Sequence, residues 1–189
     1  QGISLLTTFI KLIEEELISP SSFQPYHEKI EAPFDYYRFG IEMLKPLVIF
    51  EESTVSGLQH VDEINFKLKD GQNAILLANH QTEPDAQAIS MLLEKTHPDF
   101  AKEIIFVAGH RVITDPLAIP FSKGRNLICI FSKKRIDQFP EEKENKLLHN
   151  QKALQKLTEL LAVGGKCVYV APSGGRDRLD PTGVLEMAP

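Results

Sequence analysis

Apolar residues recur along this chain in two patterns, one typical of amphipathic helices and the other typical of buried strands. Leu5, Phe9, Ile13 and Leu17 recur at four-residue spacing, which predicts a helix over residues 4–18. Two further helices are predicted over residues 34–44 and 58–68. Short, unbroken apolar runs predict strands over residues 73–78, 104–108, 127–131 and 167–171.

Strands and helices alternate in the second part of the chain. Helical patterns over residues 84–95, 115–122 and 143–162 separate the predicted strands. Such alternation predicts an α/β fold with a largely parallel sheet covered by helices, preceded by an N-terminal helical segment. We place the N-terminal segment at residues 1–52, including a proline-rich linker, and the α/β domain at residues 53–189.

Composition narrows the classes of partner. With 189 residues and a net charge of -5, the chain has the size of one domain with a helical appendage. The negative charge argues against nucleic acid or an anionic membrane as the main partner. No apolar run approaches the roughly 20 residues of a membrane span, so we expect a soluble protein whose membrane contact is at most peripheral. Cys129 and Cys167 lie in predicted strands without metal-ligand spacing, which predicts buried free thiols and no metal site.

The segment after the first predicted strand carries candidate chemistry. His80 follows the strand at its carboxyl end, and Asp85 follows Pro84 in the first turn of the next helix. This pair is a base and the group that orients it, with no nucleophile between them. It suits a reaction in which the substrate brings its own hydroxyl. Alone, the spacing occurs by chance in many proteins, and a lone His is more often structural.

Cationic residues follow two other predicted strands. Arg176 and Arg178 lie in a glycine-rich loop after the last strand, and a basic turn at residues 132–135 follows the third. Glycines let the backbone approach a ligand, and guanidinium groups match phosphate oxygens in pairs. Alternatively, the turn is solvated and the arginines pair with acidic neighbours. Together with the dyad, the clusters indicate a substrate with both a hydroxyl and a phosphate.

Three blocks of the chain resemble soluble, plastid-type glycerol-3-phosphate 1-O-acyltransferases. They are Asn-His-Gln-Thr-Glu-Pro-Asp at 79–85, the segment at 109–127, and Ala-Pro-Ser-Gly-Gly-Arg-Asp-Arg at 171–178. The resemblance implies that His80 and Asp85 form the catalytic pair. It also implies phosphate binding by Lys134, Arg176 and Arg178, with Arg135 standing beside Lys134 where plastid relatives usually have His. Members of the family continue well past the third block, so we expect the domain to be truncated at its C-terminus.

The resemblance implies a reaction as well. A fatty acyl group would pass from acyl-acyl carrier protein or acyl-CoA to the 1-hydroxyl of glycerol 3-phosphate, giving lysophosphatidate for glycerolipid synthesis. No metal or organic cofactor is needed for this transfer. The expected location is the cytoplasm or the plastid stroma. Two alternatives remain open: a lysophosphatidate acyltransferase that uses the same dyad, and a non-catalytic fragment that binds phosphate metabolites.

Further residues receive roles in this scheme. We expect the backbone of Ser173, Gly174 and Gly175 to face phosphate or the developing oxyanion. Ser173 is not interpreted as a nucleophile, because its surroundings lack the G-x-S-x-G pattern. The acyl-donor side is assigned to His110, Arg111, Lys123 and Arg125. Because acyl carrier proteins are acidic, we expect Lys123 and Arg125 to belong to an exposed basic surface.

Overall fold

The protein was analysed as a computed structural model. It describes residues 2–173, 175, 176 and 178–186, with the side chains of residues 2, 134, 179, 185 and 186 left out. Within these ranges the α-helices are α1 (Gly2–Ile18), α2 (Tyr36–Leu44), α3 (Leu58–Lys69), α4 (Asp85–Leu93), α5 (Pro98–Glu103), α6 (Ile119–Ser122), α7 (Lys133–Gln138) and α8 (Lys143–Val163). Short 3-10 helices span Lys45–Leu47, His110–Ile113 and Pro140–Glu142.

A five-stranded, mostly parallel sheet forms the centre of the described structure. Its strands are β1 (Tyr26–His27), β2 (Ala74–Leu77), β3 (Ile105–Gly109), β4 (Asn126–Ile130) and β5 (Cys167–Val170), in the order β1-β4-β3-β5-β2. Strands β2 to β5 are mutually parallel, whereas β1 runs antiparallel to β4. Two further strands, β6 (Arg178–Leu179) and β7 (Leu185–Glu186), form a separate antiparallel pair.

Helices cover both faces of the sheet. Phe106, Cys129 and Tyr169 point into one core, where α3, α4 and α5 pack. Ile105 and Val168 point to the other face, where α8 packs. Because both faces of the central strands are buried, their sequences read as unbroken apolar runs rather than as alternating ones. The α/β class, the largely parallel sheet and the N-terminal helix are therefore confirmed.

Most predicted elements are present, with small shifts at their ends, but several predictions were wrong. The linker at residues 19–33 contains strand β1. Residues 133–135 of the predicted basic turn form the first turn of α7, which buries Ile136. The helix predicted at 115–122 is only α6, preceded by the 3-10 helix His110–Ile113. Helix α5 and the β6–β7 pair were not predicted. Both cysteines are buried free thiols, as predicted.

The N-terminal segment is bonded to the α/β domain. Strand β1 adds to the sheet beside β4. Glu16 of α1 is 4% exposed and accepts hydrogen bonds from the Lys123 ammonium group, from the Ser21 backbone N–H at 2.9 Å and from the Ser21 hydroxyl at 2.8 Å. Next to Lys123, a Cβ on Gly124 would lie 2.5 Å from the Tyr36 carbonyl carbon, so only glycine fits. The boundary at residue 52 stays a prediction.

The four parallel strands end at the same edge of the sheet. The segments that follow them begin at Ala78, His110, Phe131 and Ala171. Each segment carries residues from one of the motifs identified in the sequence, and parallel pairing brings all of them to this edge. Within the described residues, no helix combines the length and the apolar character needed to cross a membrane.

Replacing Glu16 with Gln should destabilise the protein by about 2–4 kcal/mol, because the change leaves the half-buried Lys123 ammonium without its carboxylate. For a chain of this size, that loss lowers the melting temperature by roughly 5–10 °C. Scanning calorimetry of Glu16→Gln beside Glu15→Gln, which removes the same charge from an exposed position, measures the effect. Equal melting temperatures for the two variants would contradict it.

Candidate active site

The side chains of His80 and Asp85 form a hydrogen-bonded pair at the carboxyl edge of the sheet. His80 Nδ1 lies 2.8 Å from Asp85 Oδ2. His80 follows strand β2, whereas Asp85 is the first residue of α4, so the turn between them folds the carboxylate back onto the imidazole. With Nδ1–H donating to Asp85, Nε2 is the nitrogen that can accept a proton. The His80 side chain is 27% exposed, so this nitrogen can be reached from outside.

Asp85 also holds the loop that carries His80. Its carboxylate accepts hydrogen bonds from the backbone N–H of Gln81 at 3.0 Å and from the backbone N–H and hydroxyl of Thr82, both at 2.8 Å. Burial alone would raise the pKa of Asp85, but the hydrogen bonds from His80, Thr82 and Gln81 outweigh it and hold the pKa below its ordinary value. Asp85 is therefore a carboxylate at neutral pH, placed to stabilise a positive imidazole.

Tyr169 of β5 holds the backbone next to the dyad, a role that was not predicted from the sequence. Its hydroxyl donates a hydrogen bond to the backbone carbonyl of Asn79 at 3.0 Å, which fixes the residue before His80. Burial, together with the nearby charge of Asp85, raises the pKa of Tyr169 and keeps its proton in place as a donor. A tyrosine within an apolar strand run was the one available signal, because a buried hydroxyl needs a partner.

The glycine-rich loop after β5 lies directly beside the dyad. The backbones of His80 and Arg176 form a parallel bridge. The Arg176 guanidinium is 3.4 Å from the Glu83 carboxylate, and Arg111 approaches the same carboxylate at 3.7 Å. Glu83 thus joins segments that follow three different strands. All three side chains are at least 41% exposed, so each contact contributes little to stability.

The remaining predicted phosphate-binding residues are described to different extents. Arg178 is exposed at the start of β6, and its backbone pairs with Glu186. The Ser173 hydroxyl donates to the Gly175 carbonyl at 3.1 Å, so this hydroxyl serves the loop itself. Gly174 and the side chain of Lys134 lie outside the described residues.

His110 and Arg135 contact each other at the ends of β3 and β4. Arg135 Nε donates to His110 Nε2 at 3.0 Å, and Arg135 Nη1 donates to Gln138 Oε1 at 2.7 Å. The His110 ring stacks on Phe131 with a centroid distance of 5.3 Å. The predicted acyl-donor role of His110 is untested by this geometry, which instead connects it to a predicted phosphate-binding residue.

Two residues expected on an exposed basic surface are not exposed, so that part of the prediction was wrong. Arg125 is 2% exposed, donates from Nη1 to the Ser90 hydroxyl at 2.5 Å and lies over the Tyr37 ring at 4.6 Å. Burial lowers the pKa of Arg125 to about 10, partly offset by Tyr37. Lys123 pairs with Glu16 and lies over the Tyr36 ring. Both cations are therefore engaged in packing between elements.

An apolar cavity of about 370 Å³ opens beside the dyad. Glu83 and Pro84, which directly precede Asp85, line one part of it, and Arg125 and Leu127 of the β4 region line another. The side chains between them are mainly apolar and come from Leu44, Ala86, Val112, Leu117, Ala118 and Phe121. The site therefore combines a base, exposed arginines and an adjoining apolar compartment. Among the residues that the structure describes, no group of three His, Cys, Asp or Glu side chains could hold a metal ion.

Residues 52–187 match the profile of the acyltransferase family. This match covers most of the chain. It includes the dyad, the glycine-rich loop and all the residues that line the apolar cavity except Leu44. The chain belongs to the acyltransferase family.

The chain is also similar to chloroplastic proteins of plants. It is 46% identical over 180 residues to a chloroplastic glycerol-3-phosphate acyltransferase of Cucurbita moschata, covering 95% of the chain and 40% of that protein. It is 48% identical over 163 residues to the chloroplastic enzyme of Carthamus tinctorius, covering 86% of the chain and 35% of that protein. With that of Spinacia oleracea it shares 45% identity over 179 residues, or 95% of the chain and 37% of the relative. The acyltransferase chain thus spans about two fifths of the length of these relatives.

Replacing Asp85 with Asn should lower the free energy of unfolding of the acyltransferase by about 1–3 kcal/mol at pH 7, because an amide cannot accept all four hydrogen bonds. Since the folded-state pKa of Asp85 lies below the ordinary 3.8, its contribution is complete well above that value and is lost as the pH falls through the folded-state pKa. The difference in urea unfolding between parent and Asp85→Asn should therefore be largest at pH 7 and should shrink as the pH is lowered below 3.8. Asp99→Asn, at an exposed position, is the control; a difference independent of pH would refute the electrostatic account.

Proposed function

We propose that this acyltransferase, as part of a plastid enzyme, moves a fatty acyl group from a thioester donor to the 1-hydroxyl of glycerol 3-phosphate. The observation that carries the proposal is the 2.8 Å contact between His80 and Asp85, together with the backbone bridge that pairs His80 with Arg176. Similarity to chloroplastic glycerol-3-phosphate acyltransferases supports both the acceptor and the location. The donor is acyl-acyl carrier protein or acyl-CoA.

In the proposed reaction, neutral His80 acts as the general base. Nε2 takes the proton of the 1-hydroxyl as the oxygen attacks the thioester carbonyl, and Asp85 stabilises the imidazolium that forms. The tetrahedral intermediate then expels the thiolate, the C–S bond breaks, and the proton on His80 passes to the leaving sulfur. The products are 1-acyl-glycerol 3-phosphate and a free thiol. Loss of the base should cost about 10²–10⁴-fold in rate.

The phosphate of the acceptor is proposed to bind Lys134, Arg135, Arg176 and Arg178. Support for Arg176 comes from its backbone bridge to His80, which places the two residues side by side at the edge of the sheet. Its exposed ion pair with Glu83 is worth less than about 1 kcal/mol. A charge-assisted hydrogen bond to phosphate is stronger, about 1.5–3 kcal/mol, so the guanidinium can exchange one partner for the other.

Two variants with opposite expectations test the proposal. His80→Ala should abolish the formation of labelled lysophosphatidate from glycerol 3-phosphate and acyl-acyl carrier protein, yet retain the thermal shift caused by glycerol 3-phosphate. Arg176→Ala should keep measurable turnover at saturating acceptor, raise the Michaelis constant for glycerol 3-phosphate about ten-fold and lose most of that thermal shift.

Each variant is the control for the other. Near-normal turnover of His80→Ala would exclude the general-base mechanism. An undiminished thermal shift in Arg176→Ala would favour the alternative in which Arg176 only pairs with Glu83 and holds the loop. Parallel assays with lysophosphatidate as the acceptor distinguish the proposed reaction from the second acyltransferase alternative.

The acyl chain of the donor is proposed to occupy the apolar cavity beside the dyad. Its volume of about 370 Å³ lies within the range of about 300–1,000 Å³ that is usual for ligand pockets. Glu83 and Pro84 border the cavity immediately before Asp85, so a chain inside it would leave its thioester near His80. Each buried methylene contributes about 0.8 kcal/mol, so donor affinity should rise with chain length until the cavity is full.

Ala118→Phe should shorten the preferred acyl chain, because the new ring would fill part of the cavity. The ratio of kcat/KM for sixteen-carbon to eight-carbon donors should fall about ten-fold or more, an amount roughly equal to two buried methylenes. Ala162→Phe, at an exposed position of α8, is the matched control and should leave this ratio unchanged. If Ala118→Phe leaves the chain-length preference unaltered, the acyl chain does not bind in this cavity.

A further inference from the structure

The hydrogen bond between Arg135 and His110 fixes the protonation state of the imidazole. An arginine side chain keeps its charge at every physiological pH and offers only donors. In the 3.0 Å contact, Arg135 Nε donates, so His110 Nε2 must present a lone pair. His110 is therefore neutral, with its proton on Nδ1. Protonation of His110 would replace an acceptor with a second donor and a second positive charge.

The surroundings of His110 favour its neutral form. Its ring stacks on Phe131, which also makes an edge contact with His149 of α8. Among the side chains that the structure describes, the charged groups that act on it are Arg135 of α7 and Lys146 of α8, both cationic. Burial, followed by these two charges, holds the pKa of His110 below its ordinary value. Lys146 is held in place by Glu142 at 2.8 Å and by the Arg135 carbonyl, to which it donates.

The same contact determines where the Arg135 guanidinium points. Nε is held by His110 and Nη1 by Gln138, two residues on different elements. A guanidinium has five N–H donors in one plane, so two anchored nitrogens fix the plane while other N–H groups stay available for a ligand. Arg135 lies at the carboxyl edge of the sheet after β4, where the phosphate of the acceptor is proposed to bind.

We propose that neutral His110 is a positioning residue that holds Arg135 in its phosphate-binding orientation, and that protonation of His110 releases it. The inference rests on the proposed function, since it assumes that phosphate binds at this edge. Its consequence is that the affinity for glycerol 3-phosphate falls as the pH drops through the pKa of His110. If His110 instead touched the phosphate directly, its protonation would add a positive charge, and affinity would rise at low pH.

Calorimetric titration of glycerol 3-phosphate into parent, His110→Gln and His110→Leu at pH 8.0 and pH 5.5 tests the proposal. Gln keeps an oxygen acceptor for Arg135 Nε and does not titrate, whereas Leu removes the acceptor at both pH values. At pH 8.0 we expect His110→Gln to bind within about two-fold of the parent and His110→Leu about five-fold more weakly. Between pH 8.0 and pH 5.5 the parent should lose about five-fold more affinity than His110→Gln. Ionisation of the ligand affects all three proteins alike and cancels in this comparison.

A double-mutant cycle shows whether His110 acts through Arg135. On an Arg135→Gln background, His110→Leu should have no further effect on the dissociation constant. Equal pH dependence of parent and His110→Gln, stronger relative binding by the parent at pH 5.5, or additive effects in the cycle would each overturn the inference while the proposed function stands. Complete absence of binding by the parent at pH 8.0 would reject the phosphate site and the inference together. Thermal unfolding of each variant, matched to the parent, ensures that folding does not account for the differences.

Discussion

The parallel alignment of four strands is the constraint on which the proposed site depends. Neighbouring strands in a sheet lie about 4.8 Å apart, so the ends of β4 and β2, with β3 and β5 between them, are separated by roughly 14 Å. A base that follows β2 and a cation that follows β4 therefore start from opposite sides of the parallel part of the sheet. Arg135 follows β4 and contacts His110, which follows the neighbouring strand β3, whereas Arg176 is paired with His80 itself. The strand order thus determines which cation lies beside the base and which lies farther along the edge.

Opposite charges are balanced differently on the two sides of the site. At the dyad, the Asp85 carboxylate is surrounded by donors and stays ionised. On the side where phosphate is proposed to bind, Arg176 has an exposed and weak carboxylate partner, and Arg135 is held by neutral groups. Weak or neutral partners orient a guanidinium without neutralising it, which leaves its charge available for an anion. Arg125 is different, because burial against Tyr37 and Ser90 makes it part of the packing around the apolar cavity.

Much of the fold follows from local sequence. Strands that are buried on both faces are continuous apolar runs, and the polar residues on either side mark where each strand begins and ends. The dyad was also predictable, since its two residues are five positions apart and meet through a single turn. Interactions between distant segments were not. Strand β1 has only two residues and exists because β4 offers it an edge, and the burial of Arg125 depends on helices α2 and α4 closing over it. From the sequence alone a charged residue such as Arg125 is expected to be exposed, and only the packing of the helices around it shows that it is buried. The catalytic and binding roles of the site residues remain predictions.

Strand β1 also has a consequence for the order in which the protein can form. Tyr26 pairs with Ile128, so the partner of β1 is synthesised only after about a hundred further residues have left the ribosome. Until then the N-terminal segment has no sheet to join, and afterwards it covers an edge of β4 that would otherwise be open to another chain. The N-terminal segment is thus synthesised first but covers the β4 edge only after that strand has been made.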